Sequence, residues 1–201
     1  QLAAHGSALI AGRMQLVSEL SPRITEAYAA VAPESRAASV HMKSTLDEAV
    51  NALAGQSAPD PEIYAAAMLS ELGKRRKEEI DRGTTLVGPH RDDLVLMLGD
   101  TPAKGYASHG ETWSYALALH LAEYRLLAAE GSDPVLILDD VFAELDAKRR
   151  ERLVGVAQGA EQVLITAAVG DDLPTNLDNA VSARYTVTME EGESSIERSR
   201  S

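Results

Sequence analysis

The stretch Pro134-Val135-Leu136-Ile137-Leu138-Asp139-Asp140 constrains the fold more than any other feature of this sequence. Val135 to Leu138 is a short, wholly apolar run, the type expected of a strand buried in a parallel sheet. Two carboxylates follow at its carboxyl end. In nucleotide hydrolases such a strand delivers an acid that holds Mg²⁺, usually through water, beside the β- and γ-phosphates. A second acid there can orient or deprotonate the attacking water. The pattern alone also fits a buried strand that ends in a polar turn.

The rest of the chain divides by its periodicity. Residues 7–32 read as a helix, with Leu16, Leu20, Ile24 and Tyr28 recurring every four residues. Pro22 inside that pattern is expected to kink the helix or start a new one after Ser21. Residues 39–43 fit a strand, and Leu46 to Leu53 a helical turn or two. Gly55 to Pro61 has loop composition. Asp60-Pro61 pairs a capping carboxylate with proline at a first helical position, so a helix is expected from there to about Asp81, stopping at Gly83. Its second half is charged. From residue 84 the pattern changes. Strands are expected at Thr84 to Val87 and Leu94 to Leu98, with a turn at Gly99-Asp100. Glu111 to Glu130 reads as a long helix whose Trp113, Leu117, Leu121 and Tyr124 face the core. Lys148 to Gln158 reads as a helix, Gln162 to Thr166 as another buried strand, and Val181 to Thr188 as an edge strand. The polar end from Glu190 is expected to fray. This gives a helical part, 1–82, followed by an α/β part, 83–201, in which helices cover a sheet.

Composition removes several classes of function. The 201 residues include no cysteine, which excludes disulfides, thiolate metal sites and a cysteine nucleophile. No run of 18 apolar residues is present, so no membrane span is expected. The first residues lack the charged start and apolar stretch of a signal peptide. The chain begins with Gln1, which fits a processed or partial chain. The net charge is −12. Residues 1–82 carry 9 basic and 11 acidic groups, and residues 83–201 carry 10 and 20. So acidic a second part argues against its coating nucleic acid non-specifically. Two basic clusters stand out: Lys74-Arg75-Arg76-Lys77 with Arg82, and Lys148-Arg149-Arg150 with Arg152. Charge runs of this kind are usually a solvated helix face.

Three further motifs carry candidate chemistry. Ser108-His109-Gly110-Glu111 is a capping box at the start of the long helix. A capped helix start with a hydroxyl and glycine amides is also suited to phosphate, so the structural and functional readings share one geometry. Gly88-Pro89-His90-Arg91-Asp92-Asp93-Leu94 is a turn of unusual charge density, which an internal Arg91–Asp92/Asp93 pairing would also explain. His90 and Asp92 lack the helical spacing of a metal site. Val141 to Asp146 reads as a turn, with Asp146 as the cap of the next helix. No G-x-S-x-G elbow exists to support a serine triad. His5, His41 and His120 read as surface or core residues.

Taken in order, Gly88 to Leu94, Ser108-x-Gly110-Glu111, Leu136 to Asp140 and Glu144-Leu145-Asp146 resemble the RecF family of recombination mediators. That family has an ABC-type ATPase head related to the structural-maintenance-of-chromosomes proteins. The match runs from about Gly83 to Thr166 and is specific, because four motifs agree in order and spacing. Residues 1–82 resemble the family only in character, as helices of its arm domain. The Ala- and Arg-rich usage suggests an actinobacterial version.

The resemblance implies roles residue by residue. Ser108, Gly110 and Glu111 fall on the signature motif, which contacts the γ-phosphate of ATP held by the opposite subunit. Asp139 falls on the acid that supports Mg²⁺, and Asp140 on the position that activates water. Glu144, Leu145 and Asp146 form the D-loop, which crosses the dimer interface. His90, Arg91, Asp92 and Asp93 belong to a family motif of unassigned role. Lys74, Arg75, Arg76 and Lys77 are candidates to meet DNA phosphates, without reading sequence. The implied fold is the C-terminal lobe of an ABC-type head preceded by part of the arm. The implied function is ATP-dependent dimerisation on DNA, with recognition of gapped single-strand/double-strand DNA. It serves recombinational repair, replication restart and the SOS response, alongside recombination mediator proteins in the cytoplasm. The alternatives are another ATPase of the same head type or a non-catalytic interaction module.

Two departures qualify the match. The family's signature usually reads Ser-x-Gly-Gln-Gln, whereas Glu111-Thr112 stand here, placing a negative charge near a phosphate site. Also, no G-x-x-x-x-G-K-[ST] phosphate loop occurs in this sequence. ATP and Mg²⁺ therefore require a further N-terminal half, and the isolated chain is expected to hydrolyse no ATP. Ala167 and Ala168 follow the strand ending at Thr166, where ABC proteins usually place a switch histidine.

Overall fold

Asp60 and Gly83 delimit a helix as their chemistry requires. Asp60 Oδ1 accepts the Glu62 amide at 2.9 Å, Pro61 fills a position that needs no amide, and Gly83 closes the far end at φ +64°. The structure, a computed structural model, describes residues 1–52, 60–169, 173–174, 177 and 180–199. The expected loop at 55–61 therefore lies mostly outside the described residues. The element order is α1 (Leu2–Val31), β1 (Ala38–Lys43), α2 (Asp47–Ala52), α3 (Pro61–Arg82), β2 (Asp93–Leu98), β3 (Thr101–Pro102), α4 (His109–Ala129), β4 (Leu136–Asp139), α5 (Ala147–Ala157), β5 (Val163–Thr166), β6 (Arg184–Glu190) and β7 (Glu193–Ser199). Two compact units contain them, residues 1–134 and 135–201.

In the first unit, α1 packs against α3, α4 and β1. It continues through Pro22 as one helix, so no new helix starts there. Its first half buries Ile10, Ala11 and Met14 with Tyr64, Met68, Leu46, Val50 and Val87. Gly6 permits close approach at the crossing with α3, where a Cβ would stand 2.9 Å from Met68 Cε. The second half buries Ile24, Ala27, Tyr28 and Val31, while Leu16 of the expected stripe is exposed.

Of the stripe expected on helix α4, Leu121 is buried, Leu117 and Tyr124 are half-buried, and Trp113 is 40% exposed. The inward face of the helix carries Ser114, Tyr115, Ala118, Leu121 and Ala122. Small residues win this face because α1 packs directly on it. Tyr115 anchors the contact: its hydroxyl donates to the Ser39 carbonyl at 2.6 Å, and its ring lies 5.5 Å from that of Tyr28. Burial pushes the Tyr115 hydroxyl up to about 12.

Strands β1, β2 and β3 form an antiparallel sheet, with Ala38 opposite Leu98 and Lys43 opposite Asp93. Because β1 pairs with β2, the sheet spans residue 83, where the sequence suggested a division. Thr84 to Val87 is a loop, not a strand. Its polar groups are taken by side chains: Leu86 N–H donates to Glu79 Oε1 at 2.8 Å, and the Arg91 guanidinium takes the Thr85 carbonyl.

In the second unit, β4 and β5 pair in parallel from Leu136–Val163 to Asp139–Thr166. Leu136 and Leu138 are buried, but Ile137 and Leu164 are 62% and 50% exposed. The expected burial of both faces is thus met on one face only. Strands β6 and β7 form a hairpin in register out to Arg184–Ser199, so Glu193 to Ser199 form a strand where fraying was expected. Glu191 and Gly192, at φ +51° and +87°, make the two-residue turn whose twist suits a hairpin.

Candidate nucleotide site

The end of β4 places Asp139 and Asp140 as the sequence suggested, and β5 supplies what fixes them. Register puts Thr166 directly beside Asp139. The Thr166 hydroxyl donates to Asp139 Oδ1. The Asp140 amide donates both to Thr166 Oγ1 at 3.1 Å and to the Thr166 carbonyl at 3.2 Å. Asp140 sits at φ +52°, a left-handed conformation that is uncommon outside glycine and enriched in Asp and Asn. Backbone strain of this kind, held by surrounding bonds, is typical of working sites. Both carboxylates are exposed.

This donor set fits Mg²⁺ delivered with a phosphate ligand. Among the described residues no group of three or more His, Asp or Glu side chains could hold an ion by itself. Mg²⁺ commonly takes one or two carboxylates and fills its octahedron with water and phosphate oxygens.

The segment after the acids leads into α5. Phe142 is fully buried, and Leu145 is 5% exposed. Asp146 caps α5, accepting the Arg149 amide at 3.0 Å and pairing with its guanidinium at 3.1 Å. Of the three residues assigned to the D-loop, Glu144 and Asp146 therefore face outward and Leu145 inward.

In the first unit, Ser108 and Glu111 form the expected capping box. Glu111 Oε2 accepts the Ser108 amide at 2.9 Å, and Ser108 Oγ accepts the Glu111 amide at 3.3 Å. The charge on Glu111 is not left bare. Arg36 pairs with Glu111 Oε1 at 3.1 Å and donates to Thr101 Oγ1 at 2.6 Å, tying the α1–β1 connection to the start of α4. The Ser108 amide first, then Arg36, holds the Glu111 carboxyl below the usual range. A lowered carboxyl pKa stabilises the fold fully above the ordinary Glu value of about 4.3 and loses that effect as pH falls through the folded value. Wild-type stability should therefore fall more steeply than that of Glu111→Gln below about pH 4.3. Thermal melting of both forms across that range checks it; parallel curves would refute the pairing.

The Gly88 to Leu94 motif is a buckle. Arg91 pairs with neither Asp92 nor Asp93; it takes the Thr85 carbonyl at 2.8 Å and Thr84 Oγ1 at 3.2 Å. Asp92 Oδ1 accepts from Ser44 Oγ at 2.8 Å and the Thr45 amide at 3.3 Å. The Gly88 amide donates to Thr45 Oγ1 at 3.1 Å, and Arg13 of α1 donates to the Pro89 carbonyl at 2.7 Å. His90 Nε2 lies 3.3 Å from the Thr85 carbonyl, and Asp93 Oδ1 accepts the Leu94 amide. Gly88 at φ +132° makes the turn possible. The motif's polar groups thus join α1, the β1–α2 turn and the loop after α3.

The cluster at Lys74 to Lys77 is exposed on α3. Glu71 neutralises part of it, lying 2.5 Å from Lys74 and 3.9 Å from Arg75. Among the described residues, Arg76 and Lys77 show no ion pair. No helix among them is long and apolar enough to cross a membrane.

Sequence reasoning missed Thr166 and Arg36. Thr166 was detectable: aligning the two apolar runs in parallel puts it opposite Asp139. Arg36 lies 75 residues from Glu111 and carries no local signal.

No family model matches the chain. A curated protein described as DNA replication and repair protein RecF, from Rhodococcus erythropolis, is 56% identical over 193 residues, covering 89% of this chain and 45% of that protein. Over the matched stretch, the chain is similar to this RecF protein. It spans a little under half the length of this RecF relative. A solved structure of the recombination mediator protein RecF-ATP in the RecFOR pathway superposes with a TM-score of 0.72 at 20% identity, covering 98% of this chain and 48% of the other. The RecF-ATPrS structure gives 0.71 at 20% identity, covering 97% and 48%. An SMC ATPase structure gives 0.53 at 13% identity, covering 93% and 87%. At these identities the structures show the fold, that of the RecF and SMC ABC-type ATPase heads.

Proposed function

We propose that this chain supplies the acid pair and the signature helix of a RecF-type ATPase acting in DNA repair and recombination. The observation that carries the reading is the acid pair itself. Two adjacent carboxylates end a parallel strand, one tethered by a neighbouring strand's hydroxyl and the other held in a left-handed conformation. ATP and Mg²⁺ are the ligands this arrangement serves; bound Mg²⁺ would neutralise charge on the phosphates. Asp139 would hold the ion, and Asp140 would orient the attacking water. Ser108, Gly110 and the neutralised Glu111 would face the γ-phosphate of ATP on a second copy, with Glu144 and Asp146 at that interface. The exposed Trp113 and Tyr106, near Ser108 in sequence, suit a dimer contact. Gapped DNA and recombination mediators are the proposed partners, with Arg76 and Lys77 of α3 the stronger phosphate contacts in their cluster. The arm-and-head division at residues 82 and 83 is a proposal about function, since the pairing of β1 with β2 spans it.

The open face of β4 and β5, with Ile137 and Leu164, fits a sheet completed by further chain. The test measures ATP turnover with Mg²⁺ and gapped DNA, for this chain alone and joined to the N-terminal half of the Rhodococcus erythropolis relative. Turnover only in the joined form is expected. Turnover by the chain alone would overturn the need for a separate phosphate loop, and none in either form would favour a non-catalytic interaction module.

A further inference from the structure

We propose that Thr166 is a positioning residue for the acid pair, acting through Asp139 and Asp140 without touching substrate. This deepens the ATPase reading above and rests on it. Thr166 is the last residue of β5, and its side chain shares the exposed face of the parallel pair with Asp139. One hydroxyl serves both acids in complementary senses. Its O–H donates to Asp139 Oδ1, and its oxygen accepts the Asp140 amide at 3.1 Å. Only a group that is at once donor and acceptor can do this. The Thr166 carbonyl accepts the same amide at 3.2 Å, so Asp140 is held by two bonds from one residue.

Each bond has its own consequence. The bond to Oδ1 fixes the rotation of the Asp139 carboxylate and leaves Oδ2 as the oxygen open to a ligand. The bonds to the amide oppose relaxation of Asp140 from φ +52° into an ordinary conformation, which would swing its carboxylate away. Threonine also fits the strand, since its branched Cβ favours extended backbone and stiffens the side chain. Valine keeps that shape and removes the hydroxyl. Serine keeps the hydroxyl and removes the methyl. Together they separate hydrogen bonding from packing.

In the complete protein, Thr166→Val is expected to lower Mg²⁺-dependent ATP turnover about 10–100-fold and to raise the Mg²⁺ needed for half-maximal rate, as loss of outer-shell partners does. The KM for ATP should change little, because the phosphates are held elsewhere. Thr166→Ser should recover turnover to near the wild-type level. In this chain alone, Thr166→Val should speed hydrogen exchange of the Asp140 amide about fivefold, the worth of one lost hydrogen bond. A Thr166→Val protein with wild-type turnover and Mg²⁺ dependence overturns the proposal, as does a Thr166→Ser protein no better than Val. Unchanged Asp140 exchange overturns its geometric basis. A wild-type complete protein that turns over no ATP overturns the ATPase reading and this inference with it, while the exchange measurement still reports whether Thr166 holds Asp140.

Discussion

Asp140→Asn in the complete protein should abolish ATP turnover while sparing the fold and ATP-driven dimerisation. Asp140 sits at φ +52°, and Asn accepts that region about as readily as Asp, so the substitution adds no strain. Both bonds from the Asp140 amide to Thr166 are main-chain donations and survive the change. Thermal stability should therefore stay within about 0.5 kcal/mol of wild type, as for other surface substitutions. Asn cannot accept a proton from attacking water, and loss of a positioned general base typically costs about 10²–10⁴-fold in rate. Asp139 remains, so nucleotide binding and the dimer it drives should persist. Steady-state turnover and light scattering with ATP read the two properties separately. Turnover at the wild-type rate would remove Asp140 from the mechanism. Loss of dimerisation together with turnover would instead give it a structural role.

The paired readouts matter because Asp139 and Asp140 are adjacent yet held differently. Asp139 is fixed through its side chain, by the Thr166 hydroxyl, and Asp140 through its main chain. Replacing the Asp139 carboxylate would therefore disturb its contact with Thr166 as well as any ion. Replacing that of Asp140 changes little but the reacting group, and this makes it the cleaner probe.

What could be read in the sequence follows from the range of the forces involved. Caps and turns are local chemistry. Asp60-Pro61, Gly83, the Ser108–Glu111 box and the Asp146 cap all stand where their residue types placed them. The acid pair was legible for the same reason, since one strand carries it. Faces were harder. Trp113 suggested a core position because it is large, but the face of α4 against α1 buries Ser114, Tyr115, Ala118, Leu121 and Ala122 and leaves Trp113 exposed. Thr84 to Val87 has strand composition yet is held as a loop by Glu79 and Arg91, which no local pattern announces. Internal pairing was one explanation open for the charged turn at Gly88 to Leu94, yet its partners lie up to 76 residues away, at Arg13. Contacts of that range, Arg36 with Glu111 among them, exist only once the chain has folded.

Phe142→Ala should be the most destabilising single change near the acid pair. Phe142 is the only phenylalanine in the chain and is completely buried. It sits between Asp140 and the Asp146 cap, with its carbonyl accepting the Leu145 amide at 3.2 Å. Truncating a buried Phe removes its transfer free energy and leaves a cavity, at a cost of about 3–5 kcal/mol. Whole-domain stabilities are about 5–15 kcal/mol, so much of the margin would go. Phe142→Leu retains most of the volume and should cost far less, about 1.5 kcal/mol. Ile137 offers the contrast three residues before Asp140: it is 62% exposed, and Ile137→Ala should fall within about 0.5 kcal/mol of wild type. Urea denaturation followed by circular dichroism ranks the three variants. If Phe142→Ala and Ile137→Ala shift the midpoint equally, Phe142 is not the buried anchor of this segment. If the expected order holds, amide exchange at Asp140 should quicken in Phe142→Ala before global unfolding, because the turn joining the acids to α5 loses its only large buried side chain besides Leu145.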